Sequence, residues 1–383
     1  MRRSGSRITL LSVLFLLAAG AAGPALAQGL VLSPPGDNQR ATVTQQIGPV
    51  NVTVDYSSPR VVLRGQDRKG KIWGGLVPYG LSDLGYNDCP KCPWRAGANM
   101  NTTFAVDHDV QVEGQTLPAG KYGLHMIPGE TEWTVVFSKD SNSWGSYWYD
   151  PKEDALRVVV KPAKSEYHEW LTYEFTVREP EKATLALMWE EREVPVRIAV
   201  PNAKELWVAS IRSQLRAGLG FDGRYLQEAA DWCVQNKVNL PQALTWAEKA
   251  MTPAVGGSET FSTLSTLWRA QLANGKETEA AKTLERALAN PTANPIAIHT
   301  LGRQLQAEGR NDEAVRVYQM NAKRFPGQWP VNVGLMRAYA MTGDRKKALD
   351  YARLAAAEAP DPQNRKNLQN MVKLLEEGKD IPQ

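Results

Sequence analysis

The chain has 383 residues, and its 45 Lys and Arg against 41 Asp and Glu leave a formal net charge of +4. The charges are scattered, without the basic stripe that neutralises phosphates, which argues against nucleic acid as a partner. Three cysteines are too few for a disulfide scaffold, so stability must come from packed cores, and the length suits two domains of ordinary size.

Arg2, Arg3 and Arg7 precede an apolar run from Ile8 to Ala19, and small residues lead to Ala25-Leu26-Ala27. A positive start, a short apolar stretch and an Ala-x-Ala end read as a secretory signal peptide over residues 1–27, cleaved after Ala27. The run is shorter than the ~20 residues that a span needs, and no later stretch reaches that length. The expectation is an exported protein, periplasmic or extracellular, with no transmembrane segment after cleavage. Residues 28–48, through Ser33-Pro34-Pro35-Gly36-Asp37, read as a flexible polar lead-in.

Residues 49–201 carry a period of two, the pattern of half-buried strands. Val50, Val52, Val54 and Tyr56 alternate with Asn51, Thr53 and Asp55; Leu171, Tyr173, Phe175 and Val177 form a second such series. Val194, Val196, Ile198 and Val200 form a third, in which Pro195 suggests an edge strand. Trp133, Val135 and Phe137 make a shorter run, and Glu113-Gly114 and Pro118-Ala119-Gly120 supply turns. Short strands without intervening helices predict an all-β antiparallel sandwich or jelly roll.

Beyond Pro201-Asn202 the period becomes helical. Gly275, Gly309 and Gly343 stand 34 residues apart, as do Ala280, Ala314 and Ala348, and Leu267, Leu301 and Leu335. This period, with small residues where paired helices touch, resembles the tetratricopeptide repeat. Residues 202–383 are therefore predicted to be an all-α solenoid whose last helix, from Gln363 to Glu377, caps the stack.

Within the β region, Trp73-Gly74-Gly75-Leu76-Val77-Pro78-Tyr79-Gly80, Trp94-Arg95-Ala96-Gly97-Ala98-Asn99 and Leu117-Pro118-Ala119-Gly120-Lys121-Tyr122 follow one another in order. Ile127-Pro128-Gly129, Glu132-Trp133-Thr134 and Trp144-Gly145-Ser146-Tyr147-Trp148-Tyr149-Asp150 continue the series. Over these phrases the chain resembles domain of unknown function 2911, a family of exported bacterial domains. The resemblance implies an exported β domain and brings no activity with it. The chain departs from the family pattern at Leu81 to Pro93, an insertion that holds Cys89-Pro90-Lys91-Cys92.

Few residues invite chemistry. Cys89 and Cys92 could form a redox dithiol or half a metal site, but an oxidising compartment and the absence of a second C-x-x-C favour a disulfide bracing the inserted loop. Cys233, on an amphipathic helix beside Trp232, reads as a buried free thiol. Arg95, Asn99 and Thr102 lie in a Gly/Ala-rich turn, where Arg95 offers a rigid fork for an anion or, equally, for loop carbonyls. His125 sits in an apolar strand, where a satisfied core histidine is commoner than a catalyst. Trp144, Tyr147, Trp148 and Tyr149 offer rings for stacking or packing, with Trp148 expected to be exposed and Trp144 and Tyr149 to pack. The chain has no nucleophile elbow, H-E-x-x-H or phosphate loop. No metal site and no cofactor are expected. The leading reading is an exported binding or assembly protein. Its β domain would take a small molecule or glycan through Arg95, Asn99, Thr102, His125 and Trp148, and its repeats a protein or peptide partner. The alternative is a cofactor-independent hydrolase with a cleft around His125, Arg95 and Asn99, which would require those three to converge on one open pocket.

Overall fold

The structure is a computed structural model that describes residues 38–85 and 89–382. The expected signal peptide lies outside the described residues, as do residues 28–37 of the expected lead-in. The rest of that lead-in is a strand, which corrects the expectation of flexibility. Thr42, Val43 and Thr44 favour extended backbone, and β1 (Gln39–Ile47) pairs along its whole length with β2 (Val50–Ser58). Ile47 is buried, and Arg40 and Thr42 both bond the carboxylate of Asp55 across the pair.

A small hairpin follows, β3 (Val62–Leu63) with β4 (Gln66–Asp67), and then a long irregular segment reaches β5 (Thr102–Val106). The remaining strands are β6 (Val110–Val112), β7 (Gln115–Leu117), β8 (Gly120–Ile127), β9 (Trp133–Ser138), β10 (Asp154–Val160), β11 (Ala163–Glu179) and β12 (Lys182–Ala199). One antiparallel sheet runs β1-β2-β5-β8-β9-β10, a second runs β11-β12-β6-β7, and a shared hydrophobic core lies between them. This is the expected sandwich, unclosed into a barrel. Val50, Val52 and Val54 of β2 and Val194, Val196 and Ile198 of β12 point into that core as their alternation required.

Two details differ from the simple alternation. A register irregularity between Phe175 and Val177 turns Val177 out to solvent. β12 is an interior strand: it pairs with β11 up to Glu193 and with β6 at Ile198 and Ala199, so Pro195 falls in the gap between two ladders and costs neither a donor. Glu190 within β12 has φ +53°, and the Val200 N–H donates to the Glu181 carbonyl at 2.9 Å.

Ten helices follow: α1 (Ala203–Arg216), α2 (Gly223–Asn236), α3 (Leu240–Lys249), α4 (Phe261–Ala273), α5 (Glu277–Ala289), α6 (Pro295–Ala307), α7 (Asn311–Arg324), α8 (Trp329–Met341), α9 (Arg345–Ala357) and α10 (Pro362–Glu376). Side chains of Asp222, Thr260, Asn294, Asp344 and Asp361 accept backbone N–H groups at helix starts, the capping that fixes these boundaries. Helices α4–α5, α6–α7 and α8–α9 form successive hairpins. Gly275, Gly309 and Gly343 take positive φ in the three hairpin turns, and Ala280, Ala314 and Ala348 are fully buried where the paired helices meet. The Tyr318 ring is wedged between Gly302 and Gly334, where added Cβ atoms would overlap it. The 34-residue period is thus a tetratricopeptide-like geometric repeat. Helix α10 buries only Leu368 and Leu375 against the last hairpin, as a cap does. Ala203 at the start of α1 is part of the β core.

Candidate functional site

The irregular segment between β4 and β5 folds over one end of the sandwich and walls a cleft of about 290 Å³. Trp94 and Trp189 lie on the cleft, their rings stacked 13° from parallel with centroids 6.5 Å apart. Trp73 packs edge-on against Trp94, Trp133 and Trp189, and Trp133 edge-on against Trp94, with centroid distances of 5.1 to 6.3 Å among these pairs. Edge-to-face contact sets the positive rim of one indole against the negative face of another. The four rings come from the irregular segment, β9 and β12, so they tie the loop layer to both sheets. Leu76, Val77 and Pro78 form one wall, and the inserted Ser82, Leu84 and Cys92 another. Arg68 and Arg95 complete the lining, and no Asp or Glu is among the described residues that line it.

Arg95 reaches the site from a turn in which Ala96 and Asn99 both have positive φ. Its guanidinium donates to the Asn99 carbonyl at 2.7 Å and lies over the Tyr147 ring at 5.2 Å. Gly145 lets it approach, since a Cβ there would meet the guanidinium. Arg68 donates to the Val61 carbonyl at 3.2 Å and to that of Arg60. Both side chains are oriented by carbonyls, and neither joins an ion pair among the described residues.

Of the five residues singled out from sequence, only Arg95 lines this cleft. Thr102 is fully buried and donates to the Ala96 carbonyl at 2.9 Å, so it holds the turn and has no surface to offer a ligand. The Asn99 side chain accepts from Asn38 at 3.1 Å. Trp148 is exposed, away from the cleft lining, and Trp144, expected to pack, is half exposed. Tyr149 is half-buried and donates to Asp154 at 2.9 Å.

His125 is sealed in the protein, 2% exposed. The Asn101 amide donates to Nε2 at 3.3 Å, which makes Nδ1 the protonated nitrogen, and Nδ1 donates to Ser146 Oγ at 2.9 Å. Burial, reinforced by the charge of Arg95 and opposed by that of Asp140, pushes the ring down to about 4. A neutral ring bonded at both nitrogens and closed to solvent is a structural element. His125, Arg95 and Asn99 do not converge on one open pocket, and the geometry required by the hydrolase alternative is missing.

The Cys89 and Cys92 sulfurs are joined, with Cα atoms 5.5 Å apart, and Cys92 forms part of the cleft wall. Cys233 is fully buried, and burial pushes its thiol up to about 11. Asp107 accepts from the backbone and side chain of Asn51, and Asp109 from the Ala119 N–H, so both carboxylates hold nearby backbone. Among the described residues no group of three or more His, Cys, Asp or Glu could hold a metal ion.

Sequence reasoning missed Arg68 and the tryptophan cluster. A signal was present. Trp73, Trp94 and Trp133 each stand in one of the phrases that carry the family resemblance, and Trp189 lies far downstream in β12.

Residues 38–198 match the family model described as protein of unknown function (DUF2911). No curated protein matches the chain. Similar solved structures include YrrB, described as a TPR protein with an unusual peptide-binding site, at 21% identity and a TM-score of 0.28, covering 44% of this chain and 84% of that one. MamA is 20% identical with a TM-score of 0.28, covering 39% of this chain and 85% of its own. The pilF protein of Pseudomonas aeruginosa is 16% identical with a TM-score of 0.28, covering 44% and 75%.

Proposed function

We propose that this chain is an exported, non-catalytic binding protein of the cell envelope, whose β domain holds a small ligand in the Trp94–Trp189 cleft and whose repeats hold a protein or peptide partner. One observation carries the ligand half of this reading. The cleft is assembled from three of the phrases that carry the family resemblance, contributing Leu76 to Pro78, Trp94 with Arg95, and Ser146. A concave, largely apolar site with a few polar groups is the usual form of a ligand pocket. The sealed state of His125 supports binding over hydrolysis, because a general base must come within hydrogen-bond reach of the proton it takes. The stacked hairpins support the partner half, since such arrays present an extended surface across neighbouring repeats.

The test is ligand-observed NMR on the full chain with a set of neutral sugars, neutral arenes and small acids, alongside ester and amide turnover assays. Binders should lose affinity when Leu84→Asp places a charge on the cleft rim, and no turnover should appear. Turnover abolished by His125→Gln would overturn the reading in favour of an enzyme.

A further inference from the structure

We propose that the cleft is selective for a small carboxylate with a flat apolar body, its charged head meeting Arg68 and Arg95 and its body lying against the Trp94 indole. This rests on the reading above that the β domain binds a ligand in this cleft, and it names the ligand class.

Charge comes first. Arg68 and Arg95 both line one small cleft, and none of its described lining residues is acidic. Each is held by carbonyls: Arg95 by Asn99, and Arg68 by Arg60 and Val61. A carbonyl orients a guanidinium without neutralising it. Five N–H donors are available on each, and only one is used on Arg95 and two on Arg68 in these bonds. Several other arginines of the same domain are matched with carboxylates, Arg40 with Asp55, Arg157 with Asp154 and Arg197 with Glu113, whereas Arg178, like Arg68 and Arg95, is held by a carbonyl. Among the described residues, the cleft lining thus carries positive charge without an acidic partner beside apolar walls, where water screens less and an anion gains most. The planar fork of arginine suits a carboxylate in particular.

Composition of the walls then separates an anion from a neutral sugar. A sugar brings hydroxyl donors as well as acceptors, whereas guanidiniums only donate. Asn38, Ser82 and Ser146 are the neutral polar side chains on the lining, and Ser146 already accepts from His125. Acceptors are therefore scarce and donors plentiful. Shape sets the body. The partly exposed Trp94 ring and the exposed Pro78 present apolar surface, with Trp189, Pro59 and Pro93 buried in the wall, and Leu76 at the rim is 50% exposed and so has apolar surface left to bury. At roughly 30 Å³ for each water-sized group, a cleft of about 290 Å³ admits about ten non-hydrogen atoms, the size of an aryl acetate.

Calorimetry on the full chain with phenylacetate, its neutral isostere phenylacetamide, and inorganic phosphate tests this. Phenylacetate should bind at one site at least about tenfold more tightly than the amide, as a charge-assisted bond predicts, and phosphate should not displace it. Leu76→Glu, at a half-exposed rim position that leaves the core intact, should weaken the acid severalfold and the amide little. Equal affinity for acid and amide would overturn the carboxylate assignment while leaving the cleft a binding site. Displacement by phosphate would overturn the role of the apolar body. Absence of phenylacetate binding would also overturn the assignment, and the reading of the cleft as a ligand site fails only if none of the sugars and arenes binds either.

Discussion

Lowering the pH should unload stability from the β domain through His125. The ring stands at about 4 in the folded chain against 6.5 for the ordinary side chain. Because the folded value lies below the unfolded one, the unfolded chain binds the extra proton between these limits. Stability is then fully present above about 6.5 and is lost as the pH falls toward 4. Integrating between pH 7 and a pH near 4.5 gives a loss of roughly 2.4 kcal/mol from this one ring. His299, half-buried beside Arg303 and Arg337 and also pushed down to about 4, contributes a loss of the same sign in the helical half. Urea unfolding of wild type and His125→Gln at the two pH values isolates the first contribution, since every other titrating group cancels in the comparison. The pH-dependent loss should be smaller in the variant by about 2 kcal/mol. Should the variant not fold, proton NMR of the wild-type histidine ring provides the check, with no titration expected between pH 7.5 and 5. An unchanged pH dependence in the variant, or a ring titrating near 6.5, would refute the description of His125 as sealed and neutral.

Gly302→Ala should destabilise the helical repeats by about 1–3 kcal/mol, because its Cβ would overlap the Tyr318 ring; thermal melting followed by helical circular dichroism reads the loss. Thiol counting in denaturant without reductant should find one free thiol, Cys233, and three would contradict the Cys89–Cys92 pairing. Mass spectrometry of the mature protein should begin at Gln28, and an intact Met1 on membrane-bound material would remove the basis for export.

The repeats were legible in the sequence because each helical hairpin packs mainly on its neighbours, so a local spacing of 34 residues already contains the long-range contacts. The β domain was less so. Alternation placed Val50, Val52 and Val54 inward correctly, but it carries no information on pairing partners. It could not show the bulge that exposes Val177 or the double pairing that accommodates Pro195 inside β12. β1 was hidden because its outward positions are polar and its inward ones, before Ile47, are only partly buried, even though it pairs with the neighbouring β2 as a hairpin. The cleft was legible only at Arg95. Thr102 and His125 are polar residues of a kind that sequence cannot distinguish from site residues, and here they are spent on the Ala96 carbonyl and on Ser146. The tryptophan cluster joins residues more than a hundred positions apart, which no spacing rule detects.

The account turns on where a ligand sits. Indole-region NMR of the full chain, with tryptophans assigned by single Trp→Phe variants, measures this directly during titration with a ligand retained from the NMR screen. The Trp94 and Trp189 N–H resonances should move together and saturate at one site, while those of Trp246 and Trp268 in the helical half stay in place. Saturating ligand that moves only the exposed Trp144 and Trp148, or only helical indoles, would contradict the assignment of the cleft.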